Sequence, residues 1–363
     1  MSQKYYSLSA IKKKNATYNL IIGERSNGKT YALLTQCVKD YLKDGSQFAL
    51  VRRWKEDIIG KRGGRIFAGL IEDGSIAKLS NGKFAGVHYF TGKFYLCNYD
   101  EQGKPIYSDS DLLGFAFALT DSEHDKSTSY PSVKNIVFDE FLTNKLYLPD
   151  EFVIFMNVVS TIVRRRLDVK IYMLGNTVNK FAPYFSEMGL ANIANQRQGT
   201  IDLYHYGESD LTVAVEYCST STGMSKEANK YFAFNNPKLS MITGGAWEIA
   251  IYPHLPYKYR PKDVLLTYFI EFNGEVYQSN IVQVEGIIFT YIHAKTTEIK
   301  NPDDHIIYSL DYNPKLNYNR SILRPLNKSQ EKIAWFFKAD KVFYQNNNIG
   351  DAIANYLKTC KGL

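Results

Sequence analysis

The pattern of this chain predicts an α/β fold with a mainly parallel sheet, and three observations predict it. Short apolar runs at 18–22, 48–51, 135–138 and 169–174 read as buried strands. Helix-like stretches alternate with them along the first half of the chain. Polar and charged residues cluster where the runs end, as expected when sites form at the C-terminal ends of parallel strands.

The elements follow in order. Tyr18 to Ile22 makes the first strand, and a helix spans 29–42. Phe48 to Val51 is a second buried strand, ending at Arg52-Arg53. A polar, glycine-rich loop runs from Lys55 to Arg65. Residues 66–119 read as short strands and turns, an antiparallel extension of the core. Asn135 to Phe138 is a third buried strand and ends in Asp139-Glu140. Asp150 is the expected N-cap of a helix reaching about Arg166. Val169 to Leu174 is followed by Gly175-Asn176, and one more strand is expected at 200–206. Residues 207–243 read as a linker with a helix near 224–233. Beyond 244, strands are expected at 264–272, 275–284 and 287–293, the first two joined by the hairpin signal Asn273-Gly274. A helix from Gly350 to Lys358 closes the chain. The expected division is therefore 1–206, a linker over 207–243, and an α+β domain over 244–363.

Composition narrows the function. Apolar residues make up 45% of the 363, enough for real cores. The four cysteines (Cys37, Cys97, Cys218, Cys360) form no Cys-x-x-Cys pair, so neither a disulfide framework nor a zinc site is indicated. No apolar run approaches the length needed to span a bilayer, and no membrane partner is expected. Net charge is +7, but residues 1–65 alone hold 14 Lys/Arg against 5 Asp/Glu. That basic N-terminal stretch suggests a polyanion nearby, against the plainer reading of a solvated basic surface.

Residues 23–30 carry the chemistry. Gly23, Glu24, Arg25, Ser26, Asn27, Gly28, Lys29 and Thr30 spell G-x-x-x-x-G-K-T between a strand and a helix, the phosphate-binding P-loop in its required context. The glycines let the backbone curl around phosphate oxygens, Lys29 reaches the β- and γ-phosphates, and Thr30 offers a hydroxyl to Mg²⁺. ATP and Mg²⁺ are the expected ligands. Asp139 at the end of an apolar strand suits the metal side, and Glu140 beside it suits the base that polarises water. Asn176, ending the next strand, is placed to sense the γ-phosphate. Arg164, Arg165 and Arg166 could supply an arginine to the developing charge from a neighbouring subunit; equally, they complement a helix C-terminus. Arg25 could do so in cis. Lys126 is a further cation in a polar loop, and ordinarily would be solvated. Arg52, Arg53, Lys55, Lys61, Arg62 and Arg65 form a basic stretch with glycines, suited to a phosphodiester backbone or simply a mobile surface loop.

The order of these motifs resembles the DNA-packaging ATPases of small, short-tailed, protein-primed phages. The likeness rests on Ile22–Ala32, Phe48–Lys55, Lys126–Pro131, Ile136–Phe141, Val163–Arg166 and Gly175–Val178. It covers residues 18 to about 185, and is weaker beyond Val264. It implies an additional-strand, catalytic-glutamate ATPase domain, a helical linker, and an RNase-H-like domain that has lost nuclease function. It further implies a homopentameric ring on the portal of a prohead, in the host cytoplasm, driving double-stranded DNA inward. Arg164 then corresponds to the trans-acting arginine, although the run Arg164-Arg165-Arg166 leaves Arg166 open for that role. Lys126 corresponds to a second trans-acting cation, and Lys55, Lys61, Arg62 and Arg65 to a pore element gripping DNA. One relative docks on a structural RNA; the sequence leaves that partner open. The competing reading is a monomeric P-loop regulator or helicase-like ATPase.

Overall fold

The computed structural model describes residues 6–121, 128–193, 195–219, 247 and 250–362. The chain divides into two compact units, up to Trp247 and from Glu248 onward.

The first unit is built on strands β1 (Tyr18–Gly23), β2 (Gln47–Arg52), β3 (Gly86–Phe90), β4 (Lys93–Tyr99), β5 (Pro105–Ile106), β6 (Leu112–Ala118), β7 (Val133–Asp139), β8 (Lys170–Asn176), β9 (Thr200–His205) and β10 (Thr212–Tyr217). Their order is β3-β4-β6-β2-β7-β8-β1-β10-β9, with β5 on β4. The six strands from β6 to β10 in this order pair in parallel. Antiparallel strands close both margins. The expected mainly parallel sheet is therefore present, with β8 inserted between β1 and β7.

Helices cover both faces: α1 (Ser9–Lys12), α2 (Lys29–Asp44), α3 (Gly60–Gly64), α4 (Ala68–Glu72), α5 (Ser75–Leu79), α6 (Glu151–Val163) and α7 (Pro183–Glu187). Strand alternation sorts the core into two layers. Leu20, Ile22, Ile136 and Phe138 pack with α6 and α7 on one side. Ile21, Phe48, Leu50 and Val137 pack with α2 on the other.

Several expectations need correction. The first unit runs past residue 206, because β10 pairs with the central β1 and Trp247 packs on Phe185 and Tyr217. The segment after β2 is not an open loop but a 3₁₀ turn at Lys55–Asp57 followed by α3. Residues 66–119 contain α4 and α5 as well as strands. Asp150 precedes α6 in a left-handed conformation, and its side chain makes no capping bond. The expected helix near 224–233 lies outside the described residues.

The second unit holds β11 (Val264–Phe272), β12 (Glu275–Val284), β13 (Ile287–Ala294), β14 (Ile306–Ser309), β15 (Tyr318–Asn319) and β16 (Val342–Tyr344), with helices α8 (Lys328–Lys338) and α9 (Asn347–Gly362). The sheet order is β15-β14-β11-β12-β13-β16. The first three strands form an antiparallel meander, while β14 lies parallel to β11 and β15 parallel to β14. Helix α8 and strands β14 to β16 were not foreseen from the sequence.

Candidate active site

The site sits where β1, β8 and β7 end side by side. Gly23 registers with Asn176, and Asp139 with Leu174. The turn after β1 carries two residues in the left-handed region, Ser26 (φ 60°) and Gly28 (φ 89°), and α2 starts immediately afterwards. Gly28 is there for that conformation. Gly23 has a different reason: a Cβ on it would lie 2.8 Å from Cβ of Cys218, which follows β10 beneath the turn.

Lys29 is buried. Its Nζ donates to the Glu24 carbonyl at 2.6 Å and to Oδ1 of Asn176 at 3.4 Å. Its backbone N–H donates to Oδ1 of Asn27 at 3.2 Å. Burial pulls the Lys29 ammonium below its ordinary pKa, partly opposed by the nearby carboxylates of Asp139 and Glu24. Thr30 Oγ1 donates to Oδ1 of Asp139 at 3.1 Å. A hydroxyl and a carboxylate in contact beside a glycine turn form an oxygen donor set that suits Mg²⁺. Glu24 and Asn27 are buried, while Arg25 and Ser26 are exposed.

One guanidinium joins the two acids. Arg52 Nη2 lies 2.7 Å from Oδ2 of Asp139, and its Nη1 lies 2.7 Å from Oε2 of Glu140. Strand pairing explains why: Val51 registers with Phe138, so the next residues end the two strands together. Glu140 itself has φ 62°. A side chain other than glycine pays about 1–2 kcal/mol for that conformation.

Arg53 turns the other way, into the interior, and forms a two-pronged ion pair with Glu151 at 2.7 and 2.8 Å. Burial works against its charge, but the bonds and charge of Glu151 outweigh it and raise its pKa. Tyr184 and the Leu148 N–H also donate to the Glu151 carboxylate. The basic stretch at 52–65 thus loses two of its six cations to the fold. Of the rest, Lys55 pairs with Asp121 at 2.7 Å and Arg62 with Asp57 at 3.1 Å, while Lys61 and Arg65 are exposed.

Within the arginine run, Arg164 and Arg166 have different partners. Arg166 donates to four backbone carbonyls, those of Tyr130, Pro131, Val133 and Ile162. It fastens the entry to β7 onto the end of α6, and is engaged in structure. Arg164 is exposed, left-handed at φ 41°, and donates to the Thr128 carbonyl at 2.8 Å. The Arg166 contacts, two residues along the chain from Arg164, lie at the start of β7, whereas Asp139 ends it. Six residues of strand separate the two by about 20 Å. Arg164 therefore lies far from the Lys29–Asp139 cluster of its own chain. Lys126 lies outside the described residues.

Sequence reading missed Arg52, Arg53, Glu151 and Tyr184 as one assembly around Glu140. It also missed Tyr6, whose N–H donates to the Asn27 carbonyl and whose hydroxyl donates to Glu216 at 2.6 Å. Burial raises the pKa of both partners. For Arg52 a signal existed: it follows an apolar strand, as Asp139 does. Only the pairing of those strands makes the signal readable.

A mainly parallel, mixed α/β sheet with a G-x-x-x-x-G-K-T turn between a central strand and its helix is the class this fold and site define. The chain belongs to the podovirus DNA encapsidation protein (Gp16) family, whose model matches residues 2–230. It is 32% identical over 190 residues to the DNA packaging protein of Bacillus phage phi29, covering 51% of this chain and 50% of that one. It is 30% identical over 182 residues to the DNA packaging protein of Bacillus phage B103, covering 49% and 50%. The chain thus spans about half the length of the curated relatives it matches. Its fold is similar to a chain of the bacteriophage Phi-29 viral genome packaging motor assembly (TM-score 0.58, 20% identity, covering 97% of this chain and 99% of that one). It is likewise similar to the Phi-28 gp11 DNA packaging motor (TM-score 0.54, 17% identity, covering 99% of each).

Proposed function

We propose that this protein is an ATP-driven translocase that packages double-stranded viral DNA into a prohead, working as a homo-oligomeric ring. The observation that carries the ATPase part is the convergence of Lys29, Thr30, Asp139, Glu140 and Asn176 at three neighbouring strand ends. Family membership carries the packaging part and weighs against the monomeric regulator. The insertion of β8 between β1 and β7 supports the additional-strand, catalytic-glutamate class.

In this reading the 23–30 turn cradles the phosphates of ATP, and Lys29 leaves the Glu24 carbonyl to meet them. Thr30 and Asp139 would hold Mg²⁺, which neutralises charge on the β- and γ-phosphates when bound. Asn176 contacts the γ-phosphate. Glu140 takes the proton of the attacking water, for which Arg52 must release its carboxylate. Arg164 ends α6 two residues before Arg166, which is tied to the entry of β7, and acts on the nucleotide of a neighbour. Its position supports a trans role, and the four carbonyl bonds of Arg166 argue against that residue as the finger. Lys126 is proposed as a second trans cation on the family resemblance alone. Lys55, Lys61, Arg62 and Arg65 contact DNA phosphates.

For the second unit we propose an RNase-H-like fold. The meander β13-β12-β11 followed by parallel β14 and β15 supports it. The middle of β11, where a nuclease of this fold needs a carboxylate, presents Tyr268, buried with its hydroxyl 3.0 Å from Thr290. Glu271 and Glu275 lie at the strand ends, which supports a non-nuclease role. Attachment to a portal and a pentameric stoichiometry are parts of this proposal drawn from the resemblance, which leaves a structural RNA open.

The deciding experiment measures ATP hydrolysis with and without double-stranded DNA, together with protection of DNA from nuclease by proheads. The wild-type protein should show DNA-stimulated hydrolysis and ATP-dependent protection. Glu140→Gln should bind ATP and lose both, with hydrolysis down by about two orders of magnitude or more. Hydrolysis without any DNA response or protection would overturn the translocase reading.

A further inference from the structure

We propose that Arg53 and Glu151 are positioning residues for Glu140, their buried ion pair holding the left-handed peptide that turns the Glu140 carboxylate to the side of Asp139. The proposal rests on the reading of Glu140 as the base.

Consecutive residues of a strand face opposite sides of a sheet. Asp139 and Glu140 are consecutive, yet the single Arg52 guanidinium reaches both carboxylates. The chain achieves this by leaving the strand conformation at Glu140, with φ 62°. A residue with a Cβ stays there only when its surroundings over-determine it. Here the surroundings are specific. Arg53 Nη1 donates to the Glu140 carbonyl at 3.3 Å, and its Nη2 to the Phe141 carbonyl at 2.7 Å. The Phe141 N–H donates to the Leu174 carbonyl at 3.1 Å. Gly175 lets Phe141 and Leu142 approach β8, since a Cβ there would meet Leu142 at 2.7 Å and the Phe141 ring at 2.9 Å.

The guanidinium is itself immobilised. Glu151 takes its Nε and Nη2, and Tyr184 and the Leu148 N–H take up the remaining capacity of that carboxylate. Arg53 is 6% exposed, Glu151 2% and Tyr184 0%. No solvent competes for these bonds, so the fork aimed at the two carbonyls is fixed. A lysine could keep the charge but not the fork. Neither Arg53 nor Glu151 reaches the Lys29–Asp139 cluster; both act through the Glu140 backbone.

The test uses the full chain and steady-state and single-turnover hydrolysis of ATP. Arg53→Met combined with Glu151→Leu removes both charges of the buried pair at once, a change that buried pairs tolerate. It leaves the Glu140 and Phe141 carbonyls without their donor. The expected result is a kcat lower by about 10- to 100-fold with KM within about twofold, as for a slightly misplaced group. In a Glu140→Gln background the same pair of changes should cost less than about twofold more, because no base remains to misplace. Arg53→Lys is the second variant, which keeps the charge opposite Glu151 and should show the same split. Full kcat in either variant while Glu140→Gln alone is inactive overturns the positioning role and leaves the base intact. An equal loss in both backgrounds also overturns it, since the cluster would then only hold the fold. Should Glu140→Gln alone keep normal turnover, the base reading fails and this proposal with it.

Discussion

Lys29 shows how one residue is held in the fold at a cost. Its ammonium is buried against the Glu24 carbonyl and the Asn176 amide oxygen, so its charge is held at a cost and its pKa falls below the ordinary 10.5. A lysine whose folded pKa is depressed opposes folding while protonated, and that penalty lifts as pH rises through the lowered pKa. A polyphosphate reverses the preference, because it favours the protonated form. ATP binding should therefore take up protons at alkaline pH below the usual lysine range, and affinity should weaken as pH rises there. Titration calorimetry in buffers of different ionisation heat measures this directly; equal apparent heats in all buffers would sink it. Lys29→Ala should abolish binding outright. Arg166 makes the opposite case. Its four carbonyl partners predict that Arg166→Ala destabilises the unit by about 2–3 kcal/mol in urea unfolding while the hydrolysis rate per folded molecule stays near normal. A large kcat loss at unchanged stability would return Arg166 to the catalytic candidates. At this scale the meeting of the 23–30 turn with the acids that end β7 was legible because local spacing marks both strand ends. The fates of Arg52, Arg53 and Arg166 were not, since each depends on which strand lies alongside.

At the scale of elements, the short helix α3 presents the basic residues proposed to meet DNA. Gly63 within it faces the Ile58 carbonyl and the Tyr89 ring, which a Cβ would meet at 2.4 and 2.8 Å. The first of those atoms is backbone and cannot swing away. Gly63→Ala should therefore displace α3 from β3 and weaken DNA binding, with basal hydrolysis retained. Neutralising Lys55, Lys61, Arg62 and Arg65 should flatten the salt dependence of DNA affinity, by roughly one unit of log–log slope per lost phosphate contact. Lys61 and Arg65 should account for most of it, because Lys55 and Arg62 already face Asp121 and Asp57. Filter binding across salt concentrations reads both variants, and an unchanged slope in the quadruple variant would move the grip elsewhere. The sequence showed a glycine-rich basic segment and suggested a loop. Glycine's poor helix propensity pointed that way, and packing against β3 overrode it. The core strands were legible because their apolar runs are continuous. Strand β10 was missed as part of the first sheet because it follows a polar stretch, and only its pairing with β1 assigns it.

At the scale of the whole molecule, β7 separates two chemistries. Thr30, Lys29 and Asp139 gather at its C-terminal end, while Arg164 ends α6, which Arg166 fastens to the entry of β7, and donates to the Thr128 carbonyl. Within one chain the length of β7, about 20 Å, stands between Asp139 and the end of α6 that Arg166 fastens to the strand's entry. If Arg164 serves catalysis, the active unit is a contact between copies, with base and arginine on different subunits. The sequence held the arginine run but not its distance from the P-loop, which comes from α6 running back along the sheet to the start of β7. The consequence is quantitative. Hydrolysis per subunit should rise with protein concentration, or with added DNA that assembles the ring. Arg164→Ala and Glu140→Gln should each be inactive alone. Mixed, they should regain activity, because some contacts then join an intact base on one subunit to an intact arginine on the next. With random mixing at equal amounts, about a quarter of contacts qualify, so the mixture should recover up to about that share of the wild-type rate. Sedimentation at the assay concentration must show the mixed assemblies for the comparison to hold. A rate per subunit independent of concentration, with no recovery on mixing in assembled samples, would remove Arg164 from the reaction and turn attention to an arginine in cis, Arg25 on the phosphate turn.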